Sequence, residues 1–178
     1  MKIVDKKTKA FLKEKFPKIS SDELFPEEDE WFHPFYSLFF LSVFDHWLTV
    51  EEAESEVFHY GQIEKQLSQK DNQAAQIYFE REKRLLTFYQ NLYGLYSLYE
   101  HRGSEPNKDK FYTFETTEEY AERCLKSIRE KDFIRLCVPE LEVVLNGGFD
   151  LTHKIFLDKS CSIGKIKELA TSCGLFIL

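Results

Sequence analysis

The chain has 178 residues, of which 16% are aromatic and 31% charged, and its formal net charge is −7. This length is typical of one domain, and the acidic charge argues against nucleic-acid binding because the chain as a whole repels phosphates. The sequence shows neither an N-terminal signal peptide nor an apolar run long enough to span a bilayer, so we expect a cytoplasmic protein without membrane association. The four cysteines form no CxxC pair and are expected to be reduced, and no motif indicates a cofactor or a bound metal.

The N-terminal part is predicted to be helical. Residues 1–18 are rich in lysine and place apolar residues at helical spacing, which predicts a short amphipathic helix. Residues 34–48 begin with proline and leave little polar face, so they predict a buried helix. Thr49 and Glu52 have the spacing of a capping box, which indicates that another helix begins there.

The longest predicted element is a helix over about residues 71–102, and the rest of the chain is expected to pack around it. Asp71 is its candidate N-cap and Gly103 its candidate C-terminal stop. One apolar face has 3-4-3-4 spacing and consists of Leu85, Phe88, Leu92, Leu95 and Tyr99. The polar face is confined to the N-terminal half, which is therefore expected to lie at the surface, and consists of Glu80, Glu82, Lys83 and Arg84.

The pattern changes in the C-terminal third. Thr116 and Glu119 form another capping box, which predicts a helix to about Lys131. Runs rich in β-formers follow at residues 133–138, 141–145 and 152–157, and Asn146-Gly147-Gly148 is typical of a hairpin turn. A helix over residues 162–172 and an apolar C-terminus predict that the chain ends as strand–helix–strand.

These elements predict an α+β fold with a mostly helical N-terminal two-thirds and a small C-terminal β-containing unit. The two parts share apolar material, so we predict a single domain over residues 1–178. Within it, residues 1–102 would form a helical part and residues 111–178 an α/β part.

Acidic residues are concentrated in one stretch. Residues 21–60 contain eleven acids and neither Lys nor Arg, so this stretch accounts for the negative net charge. Charge of one sign steers oppositely charged partners, and Trp31 and Trp47 lie beside acidic runs, where aromatic side chains serve as anchors. The alternative is a solvated acidic face that only promotes solubility.

From this charge pattern we predict a non-enzymatic intracellular protein that binds a basic protein partner through an acidic surface. An immunity or antitoxin-like inhibitor is the specific class that we favour, because neutralising a basic toxin requires such a surface. The predicted contact residues are Glu27, Glu28, Asp29, Glu30, Trp31, Glu51, Glu52, Glu54 and Glu56.

The alternative function is a small hydrolase or a metal-dependent enzyme. Cys161, His153 and Asp150 supply a thiol, an imidazole and a carboxylate close together in sequence, and Cys161 precedes a predicted helix, which would lower the pKa of its thiol. Glu56 and His59 have the spacing that places a carboxylate and an imidazole on one helix face, as in metal-binding bundles. Neither set has a flanking signature, so the sequence favours the binding protein.

Overall fold

The computed structural model of the protein describes residues 1–17, 19, 35–56, 59–64, 73–103 and 109–178. The strands are β1 (Lys2–Ile3), β2 (Tyr36–Ser42), β3 (Tyr99–Arg102), β4 (Lys110–Thr113), β5 (Arg135–Val138), β6 (Val143–Asn146), β7 (Thr152–Asp158) and β8 (Phe176–Ile177). The helices are α1 (Lys6–Lys15), α2 (Val50–Ser55), α3 (Tyr60–Glu64), α4 (Gln73–Leu95), α5 (Thr117–Ile128) and α6 (Gly164–Ser172). The eight strands form one antiparallel sheet in the order β1-β4-β3-β5-β6-β7-β2-β8.

The two faces of the sheet carry different cores. Successive residues of a strand point to opposite faces, so Leu145 and Ile155 join the main core with α4, α5 and α6. Val144 and Phe156 point the other way and pack with Leu12 of α1 in a smaller core. Among the described residues, the smaller core covers only part of its face of the sheet.

The prediction of a mostly helical N-terminal two-thirds with a small β-containing unit is wrong. The eight-stranded sheet takes β1, β2 and β3 from residues 1–102, which were expected to be helical. β2 pairs with β7 on one side and with β8 on the other, so an N-terminal strand lies inside what was predicted as a C-terminal unit.

The error is clearest at residues 34–48, which were predicted as a buried helix and contain β2. Leu38 packs against the smaller core and Leu41 is buried in the main core, so this strand contacts apolar material on both faces. Such a strand has a nearly continuous apolar sequence, and periodicity alone does not distinguish it from a buried helix.

The long helix is shorter than predicted. α4 ends at Leu95, and Tyr99, which was assigned to its apolar face, begins β3. β3 pairs with both β4 and β5, and this tertiary pairing outweighs the local helical pattern. The predicted N-cap, Asp71, lies outside the described residues.

Other local predictions agree with the structure. Thr49 and Glu52 form a reciprocal capping box at the start of α2. The Thr116 side chain accepts a hydrogen bond from the Glu119 amide at the start of α5. β6 and β7 form the hairpin expected around Gly147-Gly148. In the part of the chain that the structure describes, every helix is too short or too polar to cross a membrane.

Candidate functional site

A cleft of about 980 Å³ occupies the part of the sheet face that α1 leaves uncovered. Its floor is a row of side chains from neighbouring strands, because Phe40 is in register with Lys154, Lys154 with Asn146, and Asn146 with Arg135. Nδ1 of His101 lies 3.3 Å from Nη1 of Arg135 and extends the row into β3. Polar and charged groups therefore cross the middle of the sheet at the base of the cleft.

Two packed pairs of aromatic rings border this cleft. Phe40 and Trp47 meet edge to face with centroids 4.8 Å apart, and Phe133 and Phe149 do the same at 4.8 Å. Trp47 is 55% exposed, Phe149 62% and Phe133 40%, although each ring is held by its neighbour. Phe133 precedes β5 and Phe149 lies in the turn between β6 and β7, so strand ends position this pair.

Four predicted contact acids follow Trp47 closely in sequence, three of them in α2 and Glu56 directly after it. Glu51 and Glu54 are exposed to solvent. The Glu52 carboxylate accepts a hydrogen bond from the Thr49 backbone N–H at 2.8 Å and lies 3.2 Å from Nε2 of His46. The pKa of Glu52 is lowered mainly by the hydrogen bond from Thr49 and next by the His46 contact. Glu56 is paired with Arg81 at 2.7 Å. Two of the four predicted contact acids in this segment thus face solvent, and two are engaged with the protein's own groups.

Asp45 is a further exposed acid next to this segment, and Asp45, Glu51 and Glu54 are called the acidic rim below, although none of them lines the cleft itself. Oδ1 of Asp45 lies 2.6 Å from Nδ1 of His46, and this hydrogen bond lowers the pKa of Asp45 and raises the pKa of His46. The remaining predicted contact residues, Glu27, Glu28, Asp29, Glu30 and Trp31, lie outside the described residues. Their participation in binding stays a prediction.

The lining of the cleft also includes an ion-pair network that was not predicted from the sequence. Glu100 is fully buried and accepts hydrogen bonds from Arg102 at 2.8 Å and from Arg123 at 2.9 Å. Arg123 also donates to the Asp132 carboxylate at 2.6 Å. Glu100 was assigned to the long helix, where nothing indicated burial. Glu100 and Asp132 together balance the charges of the two guanidinium groups, of which Arg102 remains 46% exposed.

The candidate catalytic set is not assembled. His153 is fully buried, its Nδ1 lies 2.5 Å from the Tyr89 hydroxyl, and burial lowers its pKa to about 4. Cys161 donates its S–H to Glu142 at 3.0 Å. Asp150 lies 3.2 Å from Nε2 of His59. The three residues of the proposed triad therefore have three different partners, and a thiol–imidazole pair is absent from the described residues.

The thiol of Cys161 also differs from the expectation. Its pKa is raised, first because Glu142 accepts its hydrogen bond and then by partial burial. Lys15 pairs with the same Glu142 carboxylate, so its positive charge is directed at the carboxylate and not at the sulfur. The expected lowering of the thiol pKa at the start of α6 is wrong.

Glu56 and His59 do not share a helix face, because α2 ends at Ser55 and His59 precedes α3. His59 lies instead near Glu130 and Asp150, and one ligand atom from each of the three lies within 4.8 Å of the others. A second group of this kind contains Glu142, Asp158 and Cys161. Local sequence spacing gave no indication of either group, since their members come together only in the folded chain.

Comparison of the chain with protein-family models, with curated proteins and with solved structures finds no significant match.

Proposed function

We propose that this protein is a non-enzymatic binding protein that holds a basic segment of a protein partner at the mouth of the cleft. The observation that carries this proposal is that two packed aromatic pairs, Phe40–Trp47 and Phe133–Phe149, border one cleft. Three of the four rings are exposed to solvent, and Phe40 is half-buried. Exposed apolar groups gathered at a concave surface are typical of interaction sites.

The packed rings suit binding because their order is established before the partner arrives. Freezing a rotamer-rich side chain costs about 0.5–1.5 kcal/mol on association. Trp47 packs against Phe40 and Phe149 packs against Phe133, which restrains both side chains before a partner binds. Rigid aromatic anchors of this kind carry much of the binding energy in many interfaces.

Charge gives the preferred chemistry of the partner. Asp45, Glu51 and Glu54 are exposed near Trp47, and α2 reaches the cleft through Ala53. These carboxylates attract lysine and arginine, and an arginine placed over the Trp47 indole gains a cation–π contact. Arg102 and Arg123 are paired with two acids, Glu100 and Asp132, so these four residues together add no net positive charge.

Within this class, an immunity or antitoxin-like inhibitor of a basic toxin fits the acidic rim. The small hydrolase and the Glu56/His59 metal enzyme are less well supported, since their residues contact other partners.

A displayed random-peptide library panned on the immobilised full-length protein tests the proposal. We expect enriched peptides to combine lysine or arginine with an apolar residue, and we expect Trp47→Ala to lose the enrichment. Phe11→Ala is the matched control, because Phe11 is 49% exposed in α1 and does not line the cleft. Enrichment of acidic peptides, or enrichment that survives Trp47→Ala, would overturn the proposal.

A further inference from the structure

Three segments of the chain bring metal-binding side chains to one point. His59 precedes α3, Glu130 follows α5, and Asp150 lies in the turn between β6 and β7. Nδ1 of His59 is 3.5 Å from Oε2 of Glu130, and Nε2 is 3.2 Å from Oδ1 of Asp150. The imidazole thus has a carboxylate oxygen near each of its nitrogens.

The two carboxylates are connected and oriented. Oε1 of Glu130 accepts the Asp150 backbone N–H at 2.9 Å, which leaves Oε2 directed at the imidazole. The Asp150 side chain is 51% exposed, but its Oδ1 is shielded from solvent and faces Nε2 of His59 at 3.2 Å, without an aligned hydrogen bond from the described part of the chain. An oxygen without an aligned donor keeps its lone pairs available for a bound cation.

Of the described residues, the two basic side chains adjacent to Glu130 in sequence do not neutralise this group. Arg129 and Lys131 flank Glu130 in sequence, but Arg129 donates to Glu82 at 2.6 Å and Lys131 pairs with Glu64 at 3.2 Å. Both cations also lie over the Tyr60 ring. The site therefore keeps two carboxylates whose adjacent basic residues are directed at other acids.

We propose that His59, Glu130 and Asp150 bind a divalent transition-metal ion of the Zn²⁺ type. One imidazole nitrogen with carboxylate oxygens is a donor set that Zn²⁺ accepts, whereas Mg²⁺ and Ca²⁺ prefer oxygen alone. Three protein ligands leave a coordination position open for water or for a group of another molecule. Asp150 also lines the cleft, so the metal lies at its edge. The site adjoins the proposed partner surface, since Asp150 follows Phe149 in the lining of the cleft, but Zn²⁺ binding here does not depend on the proposed function.

Calorimetric titration of the chelator-treated full-length protein with Zn²⁺ tests the inference, and Co²⁺ absorption reports the ligand geometry. We expect one strong site, with affinity lowered at least about tenfold by His59→Ala and by Glu130→Gln. We also expect Zn²⁺ to raise the thermal midpoint of the wild-type protein but not that of His59→Ala. Glu130→Gln retains an oxygen for the Asp150 amide, so it should keep the local fold.

Two controls separate this site from other candidates. Cys161→Ser changes the Glu142–Asp158–Cys161 group, and His46→Ala removes an exposed imidazole beside Asp45 and Glu52. Both variants should bind Zn²⁺ like the wild type. Absence of Zn²⁺ binding by the wild type, loss of binding in either control, or unchanged binding in both site variants would overturn the inference.

Discussion

The hydroxyl of Tyr89 lies 2.5 Å from Nδ1 of His153, and both side chains are fully buried. This hydrogen bond joins α4 to β7 near the middle of the sheet. Burial lowers the pKa of His153 to about 4, and Nε2 has no hydrogen-bond partner among the described residues. The imidazole is therefore neutral at physiological pH and serves as a structural core group.

This burial predicts a loss of stability in mild acid. Between pH 6.5 and about 4 the unfolded chain binds a proton at His153 and the folded chain does not. The contribution of His153 to the free energy of unfolding should be constant above pH 6.5. It should fall by about 3 kcal/mol as the pH drops to about 4. Urea unfolding across this range measures the effect. His153→Leu should lower stability at neutral pH but flatten the profile, and an equally steep profile in that variant would contradict the assignment.

A second prediction concerns the ion pair that joins α4 to the end of α5. Arg129 donates to both Glu82 oxygens, at 2.6 and 2.9 Å, and Glu82 is only 7% exposed. Glu82→Ala leaves the guanidinium without its partner and should lower the free energy of unfolding by about 2–3 kcal/mol. Glu80→Ala is the control, because its pair with Arg84 is exposed and should contribute less than about 0.5 kcal/mol. Equal effects of the two substitutions in denaturant unfolding would exclude this account.

Thiol labelling tests the environment of Cys161. The Glu142 carboxylate raises the pKa of this thiol, so native protein should react slowly with a disulfide reagent at neutral pH. Glu142→Gln removes the negative charge and also frees Lys15, and both changes favour the thiolate. The labelling rate of Cys161 should therefore rise several-fold in Glu142→Gln at the same pH. A rate that is already fast in the wild type, or that falls in the variant, would show that the carboxylate does not control the thiol.

Local chemistry in the sequence predicted local structure well. The Thr49/Glu52 capping box depends only on residues three apart, and the turn at Gly147-Gly148 depends on adjacent residues. Strand pairing, in contrast, depends on residues that are far apart in sequence. Tyr99 follows the helical spacing of α4, yet its place in β3 depends on partners far away in sequence. The predicted fold class was wrong at β2 for the same reason, because segments far away in sequence bury both faces of this strand.

In the candidate site, too, local features were predicted from the sequence and contacts between distant residues were not. The acidic stretch was found by counting charged residues along the sequence, and Glu51 and Glu54 are exposed as expected. Glu82 was expected at the surface but is buried, because Arg129 approaches it from another helix. The exposed Phe133–Phe149 pair could not be predicted, because its members lie near the ends of strands whose register was unknown.

One binding measurement tests the exposed aromatic rings and the acidic rim together. A labelled peptide enriched from the library is titrated with the protein, and its dissociation constant is obtained by fluorescence anisotropy at low and high salt. Trp47→Ala and Phe149→Ala should each weaken binding by about 2 kcal/mol, the loss typical of an interface anchor. Phe11→Ala should leave the constant unchanged.

Charge is tested in the same titration. Reversing Glu51 and Glu54 to Lys should weaken binding and remove most of its salt dependence, because exposed charges are screened within about 10 Å at moderate salt. The account predicts that affinity for a basic peptide falls with salt in the wild type and is lost with Trp47. Affinity that is insensitive to salt and to both Trp47→Ala and Phe149→Ala would contradict it.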